Sequence, residues 1–457
     1  MTSKQKKQKF SSRRDFLKMT SVGGLGIFAV SPLSIVRGAN VSGSDEIKIA
    51  LIGCGGRGLG AVKDRFTVGD NVKLVAIADV AEETAKKAAK VLCTHESYKD
   101  NVNLPDDRIF FGFDAYKKAI EYCDQVLIVS PPAFHPDHYA YAVEQSKHVF
   151  IEKPLCIDAE GFKRCMKTNQ LAEDRKLTVC VGFQRRYNRH MIEWVQKIHE
   201  GYIGNVLNTR VYWNGGQAKV RGYRYENEPE MSFQVRDWYF FDWLSGDHIV
   251  EQHCHNIDVG LWIHGKGDRM AHPVSCAGMG GRQVRKTPIV PYNECGNIFD
   301  HHCVEYHFAD DSVMHSQCRQ INRCLSVGGE KVQATGGVGQ STWLKTWDAP
   351  RWNPAKNKNE KNSYVQEHID QVEAIRKGTA LHDGWTAAHS SMTAVMGRMA
   401  TYSGQEIKWD EAVAKGKTLF LYDKELSFDL TPPVMPGPDG TYEHAVALPG
   451  NYNPFKE

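Results

Sequence analysis

Although the chain of 457 residues holds 12 cysteines, no two of them form a Cys-x-x-Cys pair. Zinc-ribbon and thioredoxin-like sites therefore find little support. The scattered cysteines read as small buried hydrophobes, with one or two disulfides left open. An excess of one charge is also missing. The net charge is +3, and residues 1–38 carry eight basic side chains (Lys4, Lys6, Lys7, Lys9, Arg13, Arg14, Lys18, Arg37) against the single acid Asp15. The rest is mildly acidic, which leaves no electrostatic footprint for nucleic acid. Repeats and low-complexity segments are absent. The one long apolar stretch, Met19 to Val36, contains three glycines and several Ser/Thr, a poor composition for a bilayer helix. The length suits two or three domains.

What is present begins with an address. Ser12-Arg13-Arg14-Asp15-Phe16-Leu17-Lys18 has the twin-arginine export pattern, followed by a weakly apolar run and an imperfect cleavage site near Gly38 or Ala39. Residues 1–38 are expected to be a signal peptide read by the twin-arginine machinery, and the protein to be periplasmic or otherwise exported. An uncleaved tether stays open.

Ile47–Ile52 is a short apolar run that reads as a buried parallel strand. Gly53-Cys54-Gly55-Gly56-Arg57-Gly58 follows at once, a G-x-G-x-x-G at a strand-to-helix turn. Gly53 allows the tight turn, Gly55 lets the backbone approach a pyrophosphate, and Gly58 lets helix and strand pack closely. Gly56 and Arg57 open the helix, whose free N–H groups favour phosphate. A second strand over residues 72–78 ends at Asp79, near the spacing expected of an acid that takes the ribose hydroxyls. Val80 follows in place of an arginine, which favours NAD over NADP.

A further apolar run, Gln125 to Ser130, leads into Pro131-Pro132-Ala133-Phe134-His135, then a helix pattern, then His148–Ile151 and Glu152-Lys153-Pro154. A strand ending in S/T-P-x-x-x-H, one helix, then a strand ending in E-K-P resembles the Gfo/Idh/MocA oxidoreductases. Gly182–Tyr187, Gly201–Gly204 and Ser245–Asp258 are similar to later segments of that family, so the likeness covers about residues 46–412. It implies an α/β protein: a Rossmann domain over 46–155, an α/β domain with an open, largely antiparallel sheet over 156–430, and an irregular tail over 431–457. It also implies a homo-oligomer. Alternating runs such as Val206–Tyr212 agree with half-buried strands.

The resemblance assigns roles as well. Lys153 would bind the reacting oxygen and help position the nicotinamide; Glu152 would hold that lysine. Ser130, Pro131 and His135 would line the nicotinamide pocket. Helical spacing puts Glu251 and His255 on one face. His255 would be the general base and Glu251 would orient it or bind a substrate hydroxyl, with Glu standing where the family usually has Asp. Arg186, Tyr187, Trp213 and Arg319 are candidates for reading a carbohydrate, together with Asn214 and Gln320; Arg282 and His302 are weaker ones. Glu251-x-His253-x-His255 could suggest a metal, but residues two apart on a helix diverge, and no metal is expected.

Export bears on mechanism. Without a pool of free NAD outside the cytoplasm, the cofactor is expected to be retained. It would be reoxidised by a second substrate, or by the same substrate after bond cleavage in a redox-neutral lyase or glycosidase. One glycosidase branch of the family lacks the lysine that this chain keeps. A non-enzymatic NAD- or sugar-binding protein is the third reading.

Overall fold

A computed structural model describes residues 46–455, apart from 70, 219–223, 286–295 and 356–359. The expected signal peptide lies outside the described residues. No helix among the described residues is long and apolar enough to cross a membrane.

Six parallel strands form the first sheet: β1 (Ile47–Ile52), β2 (Val72–Asp79), β3 (Ile109–Phe111), β4 (Gln125–Ile128), β5 (His148–Ile151) and β6 (Val179–Val181), in the order β3-β2-β1-β4-β5-β6. Apart from the edge strand β3, their apolar residues are buried because helices cover both faces. The order reverses between β1 and β4, so a crevice opens at the carboxyl ends of those strands. The sheet runs past residue 155, the boundary expected from sequence, because β6 completes it.

The second sheet has eight strands: β7 (Val206–Gly215), β8 (Ser275–Gly281), β9 (His301–His307), β10 (Val313–Gln320), β11 (Val327–Ala334), β12 (Gly337–Gln340), β13 (Trp343–Thr346) and β14 (Ile407–Lys408). Their order is β13-β12-β11-β7-β10-β9-β8-β14, with only the β7–β10 pair parallel. Along β10, Met314, Ser316, Cys318 and Gln320 are buried while Val313, His315, Gln317 and Arg319 are half-buried on the other face.

The helices that matter for the site are α1 (Gly56–Phe66), α2 (Glu230–Arg236), the single turn α3 (His248–Glu251), α4 (Cys254–Gly265), α5 (Ser363–Lys377) and α6 (Gly384–Ser403). α4 lies close on the sheet: a Cβ on Gly260 would meet Val211 of β7 at 3.3 Å and collide with Met314 of β10. α6, buried along almost its whole length, runs back to the first sheet, where Ser391 accepts the Leu155 N–H at 2.9 Å. On α5, Gln371 donates to the Val149 carbonyl at 2.7 Å. α6 thus packs against both sheets, and α5 covers the first.

A Cβ on Gly58 would collide with the Gly53 carbonyl oxygen, a backbone atom with no freedom to move aside. Gly58→Ala is expected to cost about 1–3 kcal/mol of stability, read from the denaturant midpoint, and to weaken NAD binding in a titration of the folded variant.

Candidate active site

The loop after β1 is shaped by glycine where space demands it. Gly53 sits at φ +91°, and a Cβ there would lie 2.5 Å from the Val129 carbonyl oxygen. Gly55 and Gly56 have nothing within 4 Å of a Cβ position, and Gly55 opens onto the crevice. Asp79, at the end of β2, accepts from the Cys54 N–H at 2.8 Å and the Ala81 N–H at 2.9 Å. Burial raises its pKa and those two bonds oppose the rise. A cavity of about 680 Å³ runs along this edge, lined by Gly53, Gly55, Asp79, Ser130, Pro131 and Trp238 among others.

Three residues expected at the cofactor are turned elsewhere. Arg57 donates its Nε to Glu152 at 2.5 Å and pairs with Asp64 at 3.1 Å, its guanidinium over the Tyr364 ring. Its side chain is thereby drawn away from the phosphate crevice. Glu152 accordingly holds Arg57 and not Lys153. His135 is 1% exposed, with Nδ1 2.7 Å from the Pro154 carbonyl and Nε2 2.8 Å from the Ser130 carbonyl. It braces two loops instead of lining the cavity, and burial pushes its pKa down to about 4.

Lys153, at the carboxyl end of β5, reaches across to the second domain. Its Nζ donates to the Glu251 carbonyl at 2.5 Å and to Glu251 Oε1 at 3.1 Å. This explains why the expected continuous helix is broken. The Glu251 carbonyl, which would accept the His255 N–H in an α-helix, is taken by the lysine. His255 N turns to the Gln252 carbonyl at 3.5 Å, and α3 ends where α4 has yet to begin. Glu251 and His255 therefore lie at the end of one helix and the start of the next.

His255 is buried, with the Phe183 ring at 5.9 Å, edge to face, and the Trp213 ring at 6.2 Å, both between centroids. Its Nδ1 has no hydrogen-bond partner. Burial, then the charges of Lys153, Arg185 and Arg57, hold its pKa well below 6.5, so the imidazole is neutral. Lys153 goes the other way: burial works against its charge, but Glu251 more than offsets this and raises its pKa. A neutral imidazole and a fixed ammonium stand side by side.

The sugar-reading candidates divide. Trp213 faces this site. Arg186 does not: its guanidinium grips Asp258 of α4 in a fork at 2.9–3.0 Å and lies over Trp262. Tyr187 is core, donating to Asp383 at 2.5 Å. Arg319 and Asn214 lie on the opposite face of the second sheet, where Arg319 donates to the Leu325 carbonyl at 2.5 Å. Gln320, one residue on, faces inward and donates to the Tyr239 hydroxyl at 2.6 Å and to Gln252 Oε1 at 2.9 Å. Arg282 is spent on the Gly296 and Ile298 carbonyls. His253 turns to Ser316 at 2.8 Å, so Glu251, His253 and His255 do not converge. Asp247, His248 and His302 do: all three are buried, with possible ligand atoms within 4.8 Å of one another.

Sequence reasoning missed Arg185, Tyr239 and Gln252. Arg185 pairs with the buried Glu330 and stands 5.9 Å above the Trp213 ring. Nothing in Arg185-Arg186 says which of two adjacent arginines faces the site; the 3-10 turn over 184–187 decides it.

Residues 47–183 match the model for the Gfo/Idh/MocA oxidoreductase family with an NAD-binding Rossmann fold. This segment is similar to the NAD-binding domain of that family. The chain is 31% identical over 164 residues to an inositol 2-dehydrogenase/D-chiro-inositol 3-dehydrogenase of Halalkalibacterium halodurans, covering 36% of this chain and 43% of that one. It is 30% identical over 170 residues to a glycosyl hydrolase family 109 protein of Porphyromonas gingivalis, covering 36% and 34%. The chain thus spans less than half the length of the curated relatives it matches. Across both domains the fold is that of a crystallised aldose-aldose oxidoreductase from Caulobacter crescentus, with a TM-score of 0.60 at 15% identity, covering 79% of this chain and 99% of that one.

The NAD-binding domain fits its cofactor on its own geometry: two glycines with open space at a helix start, and an acid fixed at the end of the next strand. Because His255 is held neutral, the acid limb of kcat/KM is expected well below pH 6.5. Glu251→Gln should bring in a basic limb, since Lys153 then loses the partner that raises its pKa. A wild-type acid limb at the ordinary histidine position would contradict this.

Proposed function

We propose that this chain is an exported NAD-dependent oxidoreductase that transfers hydride at a carbinol carbon of a sugar, cyclitol or glycoside and retains its cofactor through turnover. The observation that carries the reading is the meeting of Lys153, Glu251 and His255 at the carboxyl end of β5, on the same edge of the sheet as the dinucleotide crevice. His255 takes the hydroxyl proton. Lys153 holds the oxygen as charge develops on it. Glu251 keeps the lysine charged and in place. Trp213 offers an apolar face to the ring. When bound, the nicotinamide supplies the hydride acceptor.

Retention is supported by what roofs the cavity. Tyr225, Glu228, Ser232, Val235 and Arg236, in and around α2, and Phe428 from the C-terminal region line it opposite the glycine loop. A dinucleotide lying there is covered by chain on both sides. The twin-arginine pattern supports loading before export, and the exposed face of the second sheet would serve a homo-oligomer. The hydride could leave to a second sugar. It could also return to the same substrate in glycoside cleavage, a reading favoured by the likeness to a glycosyl hydrolase family 109 protein.

The protein purified without added cofactor and then denatured should release close to one NAD(H) per chain by mass spectrometry. Panels of aldoses, inositols and aryl glycosides, run without added NAD, then separate net oxidation from cleavage. Lys153→Met should lower kcat/KM by about 10²–10³-fold. Release of NADP(H) would refute the reading of Asp79, and failure to bind any dinucleotide would refute the function.

A further inference from the structure

The turn that carries Glu251 hangs on one residue. Asp247 sits at φ +74°, next to Gly246 at φ +76°. Its main-chain carbonyl accepts from Val250 N at 3.0 Å and Glu251 N at 2.9 Å. Its carboxylate takes three hydrogen bonds and lies beside a histidine ring. Oδ1 accepts from the His248 N–H, and His302 Nε2 lies 3.2 Å from the same oxygen. Oδ2 accepts from Phe299 N at 2.8 Å and from the Tyr402 hydroxyl at 2.6 Å. Asp247 is 0% exposed and His302 2%.

The hydrogen-bond pattern sets the role of His302. The Thr401 hydroxyl donates to the Arg398 carbonyl at 3.1 Å, so His302 Nδ1, 2.9 Å from that hydroxyl oxygen, is a donor. Nε2 is thereby aimed at the carboxylate, 3.2 Å away. Both Asp247 oxygens are engaged by the His248 N–H, the Phe299 N–H and the Tyr402 hydroxyl, which accounts for a left-handed backbone at a residue other than glycine. It also argues against a metal at Asp247, His248 and His302, since Asp247 already has its partners.

We propose that Asp247, held by His302, is a positioning residue that fixes the Glu251 carbonyl and carboxylate on Lys153. The proposal rests on the reading of Lys153 and Glu251 as the pair that handles the reacting oxygen. Asp247 touches neither substrate nor cofactor. It acts by anchoring the start of a four-residue turn whose last residue supplies both acceptors for the lysine. The anchor is made by β9, the segment that leads into it at Phe299, α6 and the turn itself.

The test reads Lys153 without a substrate. The full-length purified protein is labelled with trace acetic anhydride across a pH series, and acetylation of Lys153 is followed by mass spectrometry. The charged groups around the amine are Glu251 from the second domain and Glu152 from the first, with the Cys254 thiol, whose pKa burial raises, and neutral His255 beside them. The wild-type amine should stay unreactive until strongly basic pH. Asp247→Asn and His302→Gln should each lower the midpoint by about one pH unit or more. Glu251→Gln should do the same, and Asp247→Asn in that background should add nothing, as expected of residues acting through one contact. Tyr402→Phe, which removes one hydrogen bond, should give a smaller shift and serves if Asp247→Asn does not fold. A Lys153 profile unmoved in a folded Asp247 or Tyr402 variant would overturn the proposal. So would one equivalent of zinc in the wild type that is lost in His302→Gln. The functional reading fails separately, if Lys153 responds as expected yet Lys153→Met still turns over sugars.

Discussion

A buried ammonium must be paired, and Lys153 finds its pair only across the domain boundary. The side chains of Lys153 and Glu251 are 11% and 15% exposed, shielded enough that an unpartnered charge there would cost several kcal/mol. The lysine comes from the end of a parallel strand and its partner from a turn on the second sheet's helical layer. Neither domain alone provides a site. The same contact also interrupts the helix, because the lysine takes the carbonyl that would have continued it. The geometry of the candidate site and the local secondary structure are therefore set by one interaction.

Around that pair the molecule separates charge from neutrality. Burial and three neighbouring cations keep His255 unprotonated, while Glu251 keeps Lys153 charged. Two groups that titrate far apart in opposite directions can divide the work of a proton acceptor and an oxyanion stabiliser. The remaining arginines are used up on acids: Arg57 on Glu152, Arg185 on Glu330, Arg186 on Asp258. These pairs span elements far apart in sequence and fix the walls of the site.

What could be read from sequence was local. The strand, the glycine turn and Asp79 are set by adjacent residues, and the first sheet follows from runs of apolar residues with turn signals between them. The break between α3 and α4 was not legible, since Glu251-Gln252-His253-Cys254-His255 holds no proline or glycine and its cause, Lys153, lies 98 positions away. The swap of Arg186 for Arg185 has the same origin, because their acids come from distant helices and strands. Arg319 is a different case. The phase of Met314 and Cys318 already puts Gln320 on the inner face and Arg319 on the outer one, and a slip of one residue inverts that choice.

The central claim is that a carbinol hydrogen moves to a dinucleotide held inside this protein. The direct measurement is to incubate the purified chain, with no added cofactor, with inositols, aldoses and glycosides carrying deuterium on their carbinol carbons. The chain is then denatured and the released nicotinamide dinucleotide weighed. The account predicts reduced dinucleotide with one deuterium on the nicotinamide ring when the sample is quenched within the first turnover, before the hydride passes to a second sugar or back to the cleaved substrate. Reduced dinucleotide without deuterium, or no reduced dinucleotide at any quench time with a substrate that is consumed, would contradict it.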